Sequence, residues 1–142
     1  MGGLESIPVR IDPGDASGLT GNSWPVVSEL AALVERLAAT GAPGAIDLRA
    51  LPLSPGDLAW LRETLGRGEV NATIEAAGPS SIEETGFPCV WWVTHRNATG
   101  QIVAELIEVA MAPEIVMATR AEAGTSAARL AAIAAAAKET RA

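Results

Sequence analysis

The stretch VWWVTHRNATGQIVAELIEVA, residues 90–110, decides how this chain folds. Val90 to His95 is rich in β-branched and aromatic side chains, and Gln101 to Ala110 is a second apolar run of strand character. Asn97-Ala98-Thr99-Gly100 between them carries the residues of a tight turn, so the two runs read as an antiparallel hairpin. Side chains alternate along a strand, which puts Trp91 and Trp92 on opposite faces. One ring enters the core. The other is either covered by the N-terminal arm or a terminal helix, or left outside as an interface anchor, and the residues leave both readings open.

Upstream of the hairpin the β pattern continues. From Glu69 to Ala76 the residues alternate, with Val70, Ala72, Ile74 and Ala76 on one face and Asn71, Thr73 and Glu75 on the other. A turn at Gly78-Pro79 leads to a strand at Ser81–Thr85, and Gly86 and Pro88 break or bulge the chain before Val90. Ala45-Ile46-Asp47-Leu48 is a further short strand.

Two helices precede this block. The first is capped by Asn22 or Ser23, has Pro25 in its opening turn, and stops at Gly41. Its apolar face is Val26, Val27, Leu30, Leu33, Val34 and Leu37. The second has Ser54 as N-cap, Pro55 at the first helical position and Asp57 in the first turn, where a negative charge suits the helix end. Leu58, Leu61 and Leu65 recur at helical spacing beside Trp60, and Gly66 ends the run. After the hairpin, Pro113 opens a short helix to about Ala123, Gly124 stops it, and Thr125 or Ser126 caps an alanine-rich final helix to about Arg141.

Helices before and after a run of hairpin-connected strands predict an α+β fold. The sheet is antiparallel, of about four or five strands, with helices packed mainly on one face and C-terminal helices added. The expected organisation is an N-terminal arm over 1–22, in which Ile7, Val9 and Ile11 alternate as in a short edge strand. A single domain over 23–124 and the alanine-rich helix over 125–142 follow.

Composition limits the function classes. The 142 residues suit one domain, and 49% hydrophobic with 19% charged residues is a globular balance. A net charge of −7 with no Lys/Arg cluster argues against nucleic acid and against anionic membranes, and makes a basic or neutral protein surface the better partner. The single cysteine, Cys89, excludes an intramolecular disulfide and a cysteine-based metal cage, and suits a reducing, cytoplasmic setting. The first residues show no secretory h-region, and Arg129 and Lys138 interrupt the alanine-rich end, so neither a leader nor membrane insertion is expected. Met1-Gly2 fits a myristoylation pattern, and Asn71-Ala72-Thr73 and Asn97-Ala98-Thr99 fit glycosylation acceptors. These short patterns recur by chance, and without a leader the acceptors have no route to modification.

Catalytic chemistry finds little footing. Cys89 and His95 are six residues apart in one apparent strand, which places them on the same side about 20 Å apart, where a dyad needs contact. Glu83 and Glu84, beside Glu105 and Glu108, are carboxylates that acid–base or hard-cation chemistry uses, but strand neighbours face opposite sides. Solvated edge charges are the plainer account of them. Gly66-Arg67-Gly68 lacks the Lys-Ser/Thr of a phosphate loop and runs from helix to strand, so it reads as a cap and turn. No catalytic residue and no cofactor is expected.

Four segments together resemble one family. Leu65-Gly66-Arg67-Gly68-Glu69-Val70-Asn71-Ala72-Thr73, Ile82-Glu83-Glu84-Thr85, Val90-Trp91-Trp92-Val93, and Ile107-Glu108-Val109 followed by Pro113 resemble, in order and spacing, motifs of the HupH/HyaF hydrogenase expression proteins over about residues 48–118. The resemblance implies a bacterial accessory or chaperone role in maturation of [NiFe] uptake hydrogenase. It further implies binding to the iron–sulfur small subunit and work alongside other maturation proteins. No catalytic residues carry over. The matched Glu83, Glu84, Thr85, Trp91, Trp92 and Glu108 become candidate partner-binding residues. Cys89 departs from the pattern, standing where the family usually has glycine. Two alternatives remain: a small-molecule-binding or thiol-dependent enzyme domain built on Cys89, and a self-associating domain, for instance a homodimer, built on the sheet edge or the last helix.

Overall fold

The computed structural model describes residues 18–141, so the alternation at Ile7, Val9 and Ile11 lies outside the described residues. Five strands follow in chain order: β1 (Gly44–Asp47), β2 (Asn71–Glu75), β3 (Pro79–Glu84), β4 (Val90–Arg96) and β5 (Ile102–Val109). The helices are α1 (Ser23–Thr40), α2 (Pro55–Leu65) and α3 (Arg120–Arg141). The strands form one sheet in the order β1-β5-β4-β3-β2, antiparallel at every junction. The α+β class with an antiparallel sheet is therefore as expected.

The hairpin β4–β5 sits at the centre, with Trp92 opposite Ile107 and Trp91 opposite Glu108. One sheet face carries Val90, Trp92, Ile107, Val109 and, from β1, Ile46. Against it pack Val26, Leu30 and Leu37 of α1 and Leu61 and Leu65 of α2. These are the side chains predicted from helical spacing, and each fully buried one contributes about 1.5–3 kcal/mol of burial free energy. The opposite face holds a smaller cluster of Ile82, Trp91 and Val93, flanked by Ala72, Ile74 and Leu106.

Local chemistry fixes the helix starts. Ser54 Oγ accepts the Asp57 N–H at 3.0 Å and Asp57 Oδ2 accepts the Ser54 N–H at 3.0 Å, a reciprocal capping box with Pro55 at the first position. Asp57 also reaches across to the segment before α1: its Oδ1 accepts the Thr20 N–H at 3.0 Å and its Oδ2 accepts the Thr20 hydroxyl at 2.5 Å. Burial pushes this carboxyl up, but the Thr20 and Ser54 hydrogen bonds outweigh it and hold Asp57 below its ordinary 3.8. At α1 the N-cap position is Asn22, as predicted, yet its side chain does not cap. It donates instead to the Pro52 carbonyl at 2.8 Å, tying α1 to the loop before α2.

The C-terminal prediction needs correction. Pro113 opens only a single 3-10 turn, Glu114–Val116, and Gly124 neither stops a helix nor precedes a cap. The true start is set by Thr119: its hydroxyl accepts the Glu122 N–H at 3.1 Å, and Glu122 Oε2 accepts the Thr119 N–H at 3.0 Å. This capping box also lowers the Glu122 carboxyl. It launches a helix that the alanine run then carries through Gly124, whose penalty of about 1 kcal/mol against alanine is too small to break it. No residue of α3 is buried.

Candidate partner-binding face

The motif residues gather where the end of α2, the loop to β2, and strands β3 and β4 meet. α2 closes with Gly66 donating its N–H to the Arg62 carbonyl at 3.0 Å, and Gly68 then donates to the Glu84 carbonyl at 2.7 Å. A Cβ built on Gly68 would stand 2.5 Å from the Thr85 carbonyl oxygen and 2.6 Å from Glu84 Oε1, so only glycine lets the loop lie this close to β3. The Glu84 carboxylate completes the join by accepting the N–H groups of Glu69 at 3.0 Å and Val70 at 3.2 Å. Thr85, buried, accepts the Phe87 N–H at 3.1 Å, and its hydroxyl lies 2.9 Å from the Val90 carbonyl oxygen. It thereby closes the turn that bears Cys89.

Glu83 points to the helix-covered face. It pairs with Arg62 and, at 3.1 Å, with Arg67. The Arg62 guanidinium lies 4.4 Å from the centroid of the Trp92 ring, and Trp92 Nε1 donates to Glu105 Oε2 at 2.9 Å. Glu83 and Glu84 face opposite sides, as strand geometry requires, but they are not solvated edge charges. β3 lies between β2 and β4, so each carboxylate is placed to satisfy donors from a neighbouring element. Among the described residues no group of three or more His, Cys, Asp or Glu could hold a metal ion.

Both tryptophans are covered, Trp92 at 2% exposure by the helices and Trp91 at 7% within the small cluster on the other face. Trp91 Nε1 donates to the Ala110 carbonyl at 3.0 Å. Neither ring stands out as an anchor. Glu108, on the same face as Trp91, has its Oε2 accepting the Glu114 N–H at 3.0 Å, which holds the 3-10 turn against the sheet.

Cys89 lies in the turn before β4, not in the strand, with φ 77 and its Sγ 3.8 Å from Met111 Sδ. His95 Nδ1 lies 3.0 Å from Ser80 Oγ, its partner in register on β3. Thiol and imidazole thus have different neighbours.

Among the described residues, a groove of about 1030 Å³ stays open along the second sheet face. Ala45, Val93, Leu106 and Glu108 form its floor, and the segment from Met111 to Met117 forms its wall. Met111 is 68% exposed, Met117 58% and Ile115 43%. The short helix expected from Pro113 to about Ala123 covers most of this segment, and so the wall was not foreseen. The available signal was four large apolar residues, Met111, Ile115, Val116 and Met117, next to a buried-strand end. A second surface not foreseen is Trp24, 66% exposed and stacked on Trp60 with ring centroids 6.4 Å apart.

Residues 20–137 match the protein family described as the HupH hydrogenase expression protein, C-terminal conserved region. The chain is 33% identical over 111 residues to the hydrogenase expression/formation protein HoxQ of Azotobacter vinelandii, covering 77% of this chain and 39% of that protein. It is 31% identical over 124 residues to the hydrogenase expression/formation protein HupH of Rhizobium leguminosarum bv. viciae, covering 87% and 44%. Among solved structures, the hydrogenase expression protein HupH from Thiobacillus denitrificans ATCC 25259 superposes with a TM-score of 0.80 at 46% identity, covering 83% of this chain and 98% of that one. The chain thus spans less than half the length of the two curated relatives, and nearly all of the solved domain.

Proposed function

Because the chain belongs to the HupH hydrogenase expression protein family through its C-terminal conserved region, we propose that it is an accessory domain in maturation of [NiFe] uptake hydrogenase. It works by binding protein rather than by catalysis. Its client in this reading is the immature iron–sulfur small subunit, met in the cytoplasm in company with other maturation proteins. The observation that carries the reading is the family match running through sheet and helices alike from residue 20 to residue 137. The geometry is compatible with it. Gly68, Glu83, Glu84, Thr85 and Trp92 hold the loop, the sheet and α2 together, and Glu108 holds the segment that borders the open groove. In this reading the five former residues build the scaffold, and the contact surface lies on the face that α1 and α2 leave free. No helix among the described residues is long and apolar enough to cross a membrane.

The test uses a hydrogenase-producing host from which the corresponding gene has been deleted. Hydrogenase activity falls in the deletion strain, returns with the plasmid-borne gene, and tagged protein co-purifies with the small subunit. Unchanged hydrogenase activity in the deletion strain, with recovery of nothing related to hydrogenase, would overturn the reading.

A further inference from the structure

We infer that the groove between the free sheet face and the Met111–Met117 segment receives a short apolar polypeptide segment that carries a lysine or arginine beside its apolar run. This deepens the accessory reading above and rests on it.

Three observations converge. The wall is apolar and adaptable: Met111, Ile115 and Met117 are 68%, 43% and 58% exposed, and unbranched thioether side chains repack around differing partners. The charge is one-sided: among the described residues lining the groove, the acidic groups are Glu108 and Glu114, His95 is the remaining titratable group, and no lysine or arginine is present. Glu108 Oε2 accepts the Glu114 N–H, and a carboxylate has acceptor capacity beyond one bond. A cation next to the apolar run is therefore attracted, and an acidic one repelled.

The same charge disfavours other occupants. A second copy brings its own net −7 to the contact, and an anionic lipid surface is repelled likewise. The volume, about 1030 Å³, stands at the upper end of small-ligand cavities, and the groove is bordered by exposed side chains instead of being enclosed. A polypeptide segment fits that shape better than a small molecule does.

The experiment selects random short peptides displayed on phage against the full chain. It then measures the selected peptides by fluorescence anisotropy against wild type and three variants. One is Met111→Asp with Ile115→Asp. The second is Glu114→Lys, which inverts a groove charge while leaving the backbone N–H that binds Glu108. The third is Glu29→Lys at an exposed position of α1, the same charge change elsewhere. Circular dichroism confirms that each is folded.

The selected peptides are expected to join a run of large apolar residues to a lysine or arginine. They should lose at least about tenfold in affinity to the Met111/Ile115 variant and to Glu114→Lys, and remain unchanged with Glu29→Lys. Failure to enrich any class, enrichment of acidic peptides, or equal binding to the groove variants overturns the inference. So does a dimer seen by light scattering that the Met111/Ile115 change disperses, because the occupant is then a second copy. The gene-deletion strain separates the two readings. If wild type restores hydrogenase activity while no peptide is enriched, the groove assignment falls and the accessory role stands. If wild type restores nothing, the accessory role falls whatever the peptides do.

Discussion

Cys89 stands at φ 77, a backbone conformation that costs a residue with a Cβ roughly 1–2 kcal/mol. Thr85 closes the turn around it, so the strain is held by the fold and not relieved locally. A glycine at this position would carry no such cost. Cys89→Gly is expected to raise stability by about 0.5 kcal/mol, the relief of strain exceeding the added backbone entropy of the unfolded chain. Urea unfolding at neutral pH checks this, and a lowered midpoint would show that the Met111 contact outweighs the strain. If the chain with this change still restores hydrogenase activity in the gene-deletion strain, the thiol-dependent alternative is removed, because Cys89 is the single cysteine. Burial of Trp92 and its hydrogen bond to Glu105 were beyond reach at this scale, because the sequence shows alternation but not which face the helices cover.

Among the elements, α2 has the start that the sequence specifies best, and that start is also tied to a distant segment. Ser54, Pro55 and Asp57 announce its start, while the bond from Asp57 to Thr20 depends on a segment 37 residues away and has no local signal. The Asp57 carboxyl is held below 3.8, so its contribution is complete above that value and is lost as pH falls through its lower folded-state value. Asp57→Asn should therefore cost about 1–3 kcal/mol at neutral pH, where charge-assisted bonds are replaced by weaker ones. The gap to wild type should narrow as pH drops below about 4. Denaturant unfolding across that range tests both statements, and a gap that stays constant with pH would mean the carboxylate charge is not what matters.

The described residues divide into a packed body and α3, a helix of 22 residues with no buried residue. Ending the chain at Ala118 should leave the urea midpoint of the body within about 0.5 kcal/mol of the full chain, since no core contact is removed. A loss larger than this that grows with protein concentration would instead place α3 in a self-associating interface, with Leu130 and Ile133 as its exposed apolar residues. At this scale the sequence by itself determined a good deal. The hairpin at 90–110, the alternation at 70–76 and the leucine spacing of the two early helices specify the α+β class and the buried helix faces, because period and turn chemistry are local properties. Strand order, the choice of which sheet face stays free, and the groove beside Met111 were decided only by tertiary structure. They depend on how distant segments close on one another, and a glutamate such as Glu84, bonded to the backbone of a loop 14 and 15 residues away, looks the same in sequence as one left in water.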